Sequence, residues 1–146
     1  MPATRRAEAS WSGDLTSGNG VVRAVSSGVF SDLPVTWAAR TEDAGGKTSP
    51  EELVAAAHAA CFSMAFSGRL AKNGTPPTTL DVAAEVTFAQ VDGGWKVASS
   101  ALTVTGDVPG ISADDFARIA EEAKDGCPIS GALKGNVELS VEATLA

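Results

Sequence analysis

Residues 50–70, PEELVAAAHAACFSMAFSGRL, constrain the fold most, because they predict one long apolar helix. Ser49 is a suitable N-cap, and Pro50 suits the first helical position. Glu51 and Glu52 favour the positive end of the helix dipole. On a helical wheel the middle of the segment is apolar nearly all the way round. Such a helix has to be buried on several sides, so we expect a sheet to cover it and a second copy of the chain to complete its burial.

The rest of the chain predicts strands grouped around helices. Residues 79–91 alternate between apolar and polar side chains, and DGG at 92–94 suits a hairpin turn. A phase shift between Val97 and Leu102 indicates a bulge in the return strand. Ser112 opens SADD, a capping pattern for a second helix. The predicted strands are 5–12, 20–27, 34–40, 79–91, 95–106 and 137–145, and the predicted helices are 50–70, 112–124 and a short turn at 127–135.

This order, βββ-α-ββ-α-(α)-β, predicts an α+β fold with antiparallel sheets around two main helices. Strand pairs flank the helices instead of alternating with them singly, which argues against a parallel α/β sheet. A length of 146 residues is typical of one domain, so we expect a single domain over 1–146.

Composition and charge exclude several functional classes. The net charge is −7 and no basic run exists, which argues against nucleic-acid binding and against an anionic membrane surface. We expect no membrane-spanning segment, because the long helix carries Glu51, Glu52, His58 and Arg69. The N-terminal residues show no secretory signal, so we expect a cytoplasmic protein. Two cysteines are too few for a disulfide framework, and we expect them to be free, catalytic or redox-linked.

Cys61, in the apolar sector of the long helix, has two interpretations. It is either a small core residue or a nucleophile, and a nucleophilic thiolate needs a positive charge nearby. Arg40 is the best placed arginine, at the end of the predicted strand 34–40, and Glu51 would orient it through a bidentate ion pair. Glu51 precedes Cys61 by ten residues, about 15 Å on an ideal helix, so it would act through an arginine or across a dimer interface. Otherwise Glu51 is an ordinary first-turn glutamate.

His58 lies three residues before Cys61 on a neighbouring helix face. A Cys–His pair would suggest a papain-like nucleophile, but no third group is identifiable, which favours a packed or pocket-lining histidine. A zinc site lacks support, because no cysteine pair or second histidine stands at metal-ligand spacing.

Cys127 lies in DGCPIS, between Gly126, which ends one helix, and Pro128, which suits the start of the next. A helix start favours a thiolate, although Cys127 is equally compatible with an ordinary turn cysteine. If Cys127 approaches Cys61 in the fold, the two form a peroxidatic and resolving pair: a sulfenic acid on one sulfur condenses with the other thiol to a disulfide.

Two motifs together resemble a known family. SPEELVAAAHAACFSM at 49–64 and GCPIS at 126–130 are similar to the OsmC/Ohr family, the osmotically inducible protein C and organic hydroperoxide resistance proteins. The resemblance covers nearly the whole chain. It includes the opening A-x-W-x-G-D pattern, a G-x-G turn and VPGI, at Ala9, Trp11, Gly13, Asp14, Gly18, Gly20 and 108–111.

The resemblance implies an intertwined homodimer with active sites at the subunit interface and thiol-dependent reduction of peroxides, organic ones especially. Cys61 matches the peroxidatic cysteine, Cys127 the resolving cysteine, and Glu51 the glutamate that positions an arginine. Arg40 matches the arginine of the OsmC branch, whereas the Ohr branch carries its arginine in the N-terminal hairpin, which here has none. The family implies no metal, haem or flavin cofactor, and an external dithiol or thiol as reductant.

Two functional hypotheses follow. The first is a cysteine-based hydroperoxide reductase with peroxiredoxin-type chemistry, in which Met64 or Phe62 contacts the alkyl tail of the substrate. The second is a dimeric stress-related binding protein with an apolar pocket and non-catalytic cysteines.

Overall fold

The computed structural model describes residues 1–146, which divide into two compact units, Met1–Leu53 and Val54–Ala146. The second helix begins in the first unit and ends in the second. That residues 1–146 form a single domain stays a prediction. The elements in chain order are β1 Ala7–Ser12, β2 Asn19–Ala24, β3 Leu33–Val35, α1 Trp37–Thr41, α2 Pro50–Lys72, β4 Thr79–Val91, β5 Gly94–Asp107, α3 Ala113–Gly126, α4 Pro128–Leu133 and β6 Glu138–Leu145.

The first unit holds a three-stranded antiparallel sheet in the order β1-β2-β3. Trp11 of β1 pairs with Gly20 of β2. A Cβ atom at Gly20 would lie 2.8 Å from Cε3 of Trp11 and 2.6 Å from the carbonyl oxygen of Ser10. Glycine is therefore required at residue 20, because any side chain there would collide with the indole ring and the neighbouring strand.

The prediction of a strand over 34–40 is wrong beyond Val35. The chain turns into the short helix α1, whose N-cap Thr36 accepts a hydrogen bond from the Ala39 amide at 3.1 Å. The residues that follow this cap are good helix formers, and local capping prevails over the β-propensity of the preceding residues. Arg40 consequently lies in the last turn of a helix instead of at the end of a strand.

The second unit holds the sheet β4-β5-β6. Strands β4 and β5 form the expected hairpin, with Asp92 and Gly93 at φ of 51° and 82° in the turn. The predicted bulge is confirmed, because Thr87 pairs with Ser99 whereas Phe88 pairs with Val97, which leaves one residue of β5 unpaired.

Strand β6 pairs with β5 in parallel, so the prediction of purely antiparallel sheets is wrong for this pair. The two strands are joined by a crossover that contains α3 and α4. A crossover of this length returns the chain to the end of the sheet where β5 began, and a parallel strand results. The α+β class itself is confirmed.

The core of the second unit lies among α2, α3 and β5. Phe66 of α2 packs at a tilt between two other rings, with its centroid 5.4 Å from that of Phe62 and 4.9 Å from that of Phe116. The apolar stripe predicted for α3 is buried as expected. The buried cluster consists of Phe62, Phe66, Leu70, Leu102, Val104, Val108, Phe116, Ile119, Ala120 and Ala123.

Helix α2 is buried on one side and exposed on another within the single chain. His58, Phe62, Phe66 and Leu70 are fully buried, whereas the side chain of Met64 is 74% exposed. Ala56, Ala57 and Ala60 are also exposed. One copy of the chain therefore does not bury α2 on several sides, as the sequence predicts.

By length and composition alone, α2 is apolar enough to cross a membrane, with a mean hydropathy of 1.3 over an 18-residue window. The expectation that no such stretch exists is therefore wrong, because the charged residues lie mostly near the ends of α2 and leave an apolar window between them. The core helix of a soluble protein passes the same test.

Candidate active site

The fold brings the two cysteines together from distant parts of the second unit. The Sγ atom of Cys61, on α2, lies 2.9 Å from the Sγ atom of Cys127, and both are free thiols. Cys127 is buried with 1% of its surface exposed, whereas Cys61 is half-buried. Cys61 is therefore the sulfur that solvent or a small molecule reaches first.

Cys127 is held at the junction of two helices. Its backbone N–H donates to the carbonyl of Ala123 at 2.9 Å and so caps the C-terminus of α3, while Pro128 starts α4 directly after it. Its side chain occupies the N-cap position of α4 without a capping hydrogen bond. The thiol is thus fixed at a helix start, as the sequence predicts.

The surroundings shift the pKa values of the two thiols in opposite directions. Burial raises the pKa of Cys61, and its hydrogen bond to Cys127 raises it further, against a smaller lowering by the Ile129 amide. Burial also opposes ionisation of Cys127, but hydrogen bonds from Cys61, Ser130 and Ile129 outweigh it and lower the pKa of that thiol. The hydrogen bonds of this pair therefore favour a thiolate on Cys127 over one on Cys61.

Arg40 and Glu51 form the expected bidentate ion pair in the first unit. The Nε of Arg40 donates to Oε1 and Oε2 of Glu51 at 3.0 and 3.1 Å, and Nη2 donates to Oε1 at 2.8 Å. The carboxylate is buried at 6% exposure, while 30% of the arginine side chain remains exposed. The Cζ of Arg40 also lies 5.9 Å from the ring centroid of Trp37. The guanidinium is therefore fixed in orientation with part of its surface accessible.

His58 does not form a papain-like pair. Its Nδ1 lies 2.6 Å from Oγ of Ser100, and its Nε2 lies 2.8 Å from Oγ of Ser130. Both ring nitrogens are thus engaged by serines, which leaves neither to act on Cys61. Neither serine is among the candidate residues predicted from the sequence. Ser130 ends the GCPIS motif, and that position is the one signal that pointed to it.

An apolar cavity of about 370 Å³ lies in the first unit. Arg40 is the charged residue in its lining, which otherwise consists of Trp11, Leu15, Val35, Thr36, Trp37 and Pro50. The expectation that Phe62 lines a substrate pocket is wrong, since Phe62 is fully buried in the core. Met64 lines a shallow depression with Ser63 and Ser67 in the second unit. No group of three or more His, Cys, Asp or Glu side chains is arranged to hold a metal ion.

Comparison with known proteins identifies the relatives of this chain. The sequence model of the family described as OsmC-like protein matches residues 42–142. The chain is 42% identical to peroxiredoxin OsmC of Escherichia coli (strain K12) over 142 residues, which cover 97% of this chain and 98% of that protein. It is 31% identical to the organic hydroperoxide resistance protein of Xanthomonas axonopodis pv. citri, covering 82% and 83% of the two chains.

Solved structures show the same fold at lower identity. An organic hydroperoxide resistance protein OsmC from Legionella pneumophila matches with a TM-score of 0.72 and 23% identity, over 99% of this chain and 98% of that one. An organic hydroperoxide resistance protein from Elizabethkingia anophelis matches with a TM-score of 0.73 and 24% identity over the whole of both chains. The resemblance found in the two sequence motifs is thus confirmed over nearly the full length, and this chain belongs to the OsmC family.

Proposed function

We propose that this chain is a thiol-dependent peroxidase that reduces organic hydroperoxides, and hydrogen peroxide as well. The observation that carries the proposal is the 2.9 Å separation of the Cys61 and Cys127 sulfurs. A disulfide requires a separation of about 2.05 Å, so an approach of about 0.9 Å closes the bond. The printed names of the relatives, peroxiredoxin OsmC and organic hydroperoxide resistance protein, support the same chemistry.

In the first step the thiolate of Cys61 attacks one oxygen of the hydroperoxide. The S–O bond forms as the O–O bond breaks, Cys61 becomes a sulfenic acid, and the leaving alkoxide takes a proton to give an alcohol. Cys61 has this role because it is half-buried and accessible, whereas Cys127 is 1% exposed.

Arg40, held by Glu51, supplies the positive charge that the Cys61 thiolate needs. Burial and the contact with Cys127 raise the pKa of Cys61, and a guanidinium near the sulfur opposes both effects. The bidentate contact with Glu51 fixes the arginine and leaves part of its surface free for a peroxide oxygen. The apolar cavity beside Arg40 receives the alkyl tail of the substrate.

In the second step Cys127 attacks the sulfenic sulfur of Cys61. The S–S bond forms as the S–O bond breaks, and the hydroxide leaves as water with the proton that Cys127 gave up. An external dithiol or thiol then reduces the disulfide and restores both cysteines. These steps require no metal, haem or flavin. The proposed cytoplasmic location provides the thiol reductant.

The protein acts as a homodimer in this proposal. The exposed apolar face of α2, formed by Ala56, Ala57, Ala60 and Met64, is the surface that a second copy covers. Small side chains on this face allow the close approach of another helix.

Mass spectrometry after one equivalent of cumene hydroperoxide tests the proposal. The wild-type protein is expected to lose about 2 Da as the internal disulfide forms, and excess dithiol should reverse the change. The Cys61→Ser variant should keep its mass and consume no peroxide. Full peroxidase activity in Cys61→Ser, or an unchanged wild-type mass, contradicts the proposal and favours a binding protein with inert cysteines.

A further inference from the structure

Helix α1, which carries Arg40, is too short to be stable by itself. It spans five residues, Trp37–Thr41, and Ala39 is the one that is buried. Isolated helices shorter than about 12 residues are marginal in water, because the first turn fixes several backbone dihedrals for a single hydrogen bond. The helical state of α1 therefore depends on the contacts made at its two ends.

Thr36 makes the contacts at the N-terminal end of α1. Its Oγ1 accepts a hydrogen bond from the Ala39 amide at 3.1 Å, and its carbonyl oxygen accepts one from the Arg40 amide at 3.2 Å. The Thr36 backbone is extended, at φ −143° and ψ 161°, a conformation that suits both an N-cap and a β-branched side chain. Thr36 thus anchors the backbone of the residue whose side chain binds Glu51.

The side chain of Arg40 is anchored at its far end. Glu51 accepts its hydrogen bonds at 2.8 to 3.1 Å, and the ring centroid of Trp37 lies 5.9 Å from its Cζ. Trp37 precedes Arg40 by three residues, and side chains at this spacing meet only when the backbone between them is helical. Thr36, Trp37 and Arg40 all line the apolar cavity. The place of the guanidinium at the cavity wall hence depends on α1 staying helical.

We propose that Thr36 is a positioning residue for Arg40: its cap keeps α1 helical, and this holds the guanidinium against Glu51 at the cavity wall. Loss of Oγ1 leaves the amide of the buried Ala39 without its partner. The first turn then opens more often, and the Arg40 side chain leaves its ordered position more often. The consequence for catalysis rests on the proposed function: a less ordered guanidinium slows the reaction of Cys61 with peroxide.

The Nε–H proton of Arg40 reports the order of the guanidinium without any peroxide. This proton is donated to the buried Glu51 carboxylate, so NMR spectra of the full-length protein should show slow exchange with water. In Thr36→Ala the exchange rate is expected to increase about fivefold, as loss of an N-cap implies. Thr36→Ser keeps the hydroxyl and should stay within about twofold of wild type. An unchanged rate in Thr36→Ala overturns the proposal.

Ser112→Ala is the matched control. Ser112 caps α3 in the same way, since its side chain accepts a hydrogen bond from the Asp115 amide at 3.1 Å, and α3 does not carry Arg40. The two alanine variants therefore lose equivalent hydrogen bonds. Exchange at Arg40 should increase in Thr36→Ala alone. An equal increase in Ser112→Ala would assign the effect to a general loss of stability and overturn the proposal.

A double-mutant cycle tests the consequence for the first step of the reaction. Hydrogen peroxide is the probe, because it has no alkyl tail to contact the cavity. The single-turnover rate of Cys61 oxidation is expected to fall about threefold in Thr36→Ala. In an Arg40→Ala background the same substitution should leave the rate unchanged, because Thr36 acts through Arg40. Equal slowing in both backgrounds overturns the proposal. Faster exchange at Arg40 in a protein that consumes no peroxide supports the positioning role and refutes only the proposed function.

Discussion

The sulfurs of Cys61 and Cys127 lie 2.9 Å apart, although the two residues are 66 positions apart in the sequence. The hydrogen bond between them raises the pKa of Cys61 and lowers the pKa of Cys127. The accessible sulfur is thus the weaker acid, and the buried sulfur the stronger one. This asymmetry suits two consecutive steps, since the buried thiolate is ready once the accessible sulfur has been oxidised. In the proposed mechanism, the first step therefore depends on a positive charge from outside the cysteine pair.

Loss of the resolving cysteine should divert the reaction to overoxidation. In Cys127→Ser, Cys61 can still attack one equivalent of peroxide, but the sulfenic acid has no thiol beside it. The protein is expected to gain about 16 Da and then, in excess peroxide, about 32 Da, which dithiol does not reverse. Intact-mass spectra over time measure this, and a stable loss of about 2 Da in the variant would disprove the assignment of Cys127.

Removal of the guanidinium should slow the first step. Arg40→Ala is expected to raise the pKa of Cys61 and to slow its reaction with peroxide at neutral pH about tenfold. Stopped-flow measurement under single-turnover conditions gives the rate. Arg23→Ala is the matched control, because Arg23 is a surface arginine of the first unit with a loose 3.6 Å contact to Glu8. Similar rates in the two variants would remove Arg40 from the mechanism.

Mixed dimers should show which copy supplies the arginine. An Arg40→Ala chain paired with a Cys61→Ser chain contains one intact site if Arg40 acts on the partner's thiol, and none if it acts within its own chain. We expect recovery of about half the wild-type activity, because the family resemblance implies sites at the subunit interface. Co-expression with two different tags isolates the mixed dimer, and its failure to exceed the parent variants would assign Arg40 to its own chain.

His58 should make stability depend on pH. Burial lowers its folded-state pKa below the usual 6.5, so below that pH the unfolded chain binds a proton that the folded chain does not. The free energy of unfolding is therefore expected to fall by about 1 kcal/mol from this residue as the pH decreases from about 7.5 to 5.5. Urea titrations at the two pH values measure the fall. His58→Gln should show a smaller fall, and an equal one would mean that His58 titrates normally when folded.

Two glycines should differ in how much their replacement by alanine destabilises the protein. A Cβ at Gly106 would lie 2.6 Å from Cζ of Phe116 and 3.0 Å from Cδ2 of Leu80, inside the core, so Gly106→Ala should destabilise the protein by about 1–3 kcal/mol. The atoms nearest to a Cβ at Gly126 belong to the guanidinium of Arg69, a flexible side chain that is 43% exposed. Gly126→Ala should therefore leave the free energy of unfolding within about 0.5 kcal/mol of wild type. Denaturant unfolding of both variants measures these changes. Equal losses in the free energy of unfolding would contradict the predicted difference between the two glycines.

Local interactions made much of the fold predictable from the sequence. Helix α2, the β4–β5 hairpin and its bulge follow from periodicity, turn residues and caps, all of which act between residues close in the chain. The predicted strand 34–40 ends at Val35, because the Thr36 cap and the alanines after it favour a helix more than the preceding residues favour a strand. The parallel pairing of β6 depends on where a crossover returns the chain, which no local pattern specifies.

The sequence by itself determined the family, the two candidate cysteines and the Arg40–Glu51 pair, because each rests on a short motif or on residue types that recognise each other. Only the tertiary structure decided that the two sulfurs lie 2.9 Å apart, that Cys127 is the buried one, and that Ser100 and Ser130 engage both ring nitrogens of His58. These relations join residues on different elements. Their distances follow from the packing of α2, α3 and α4 against the sheet, and packing is a property of the whole chain.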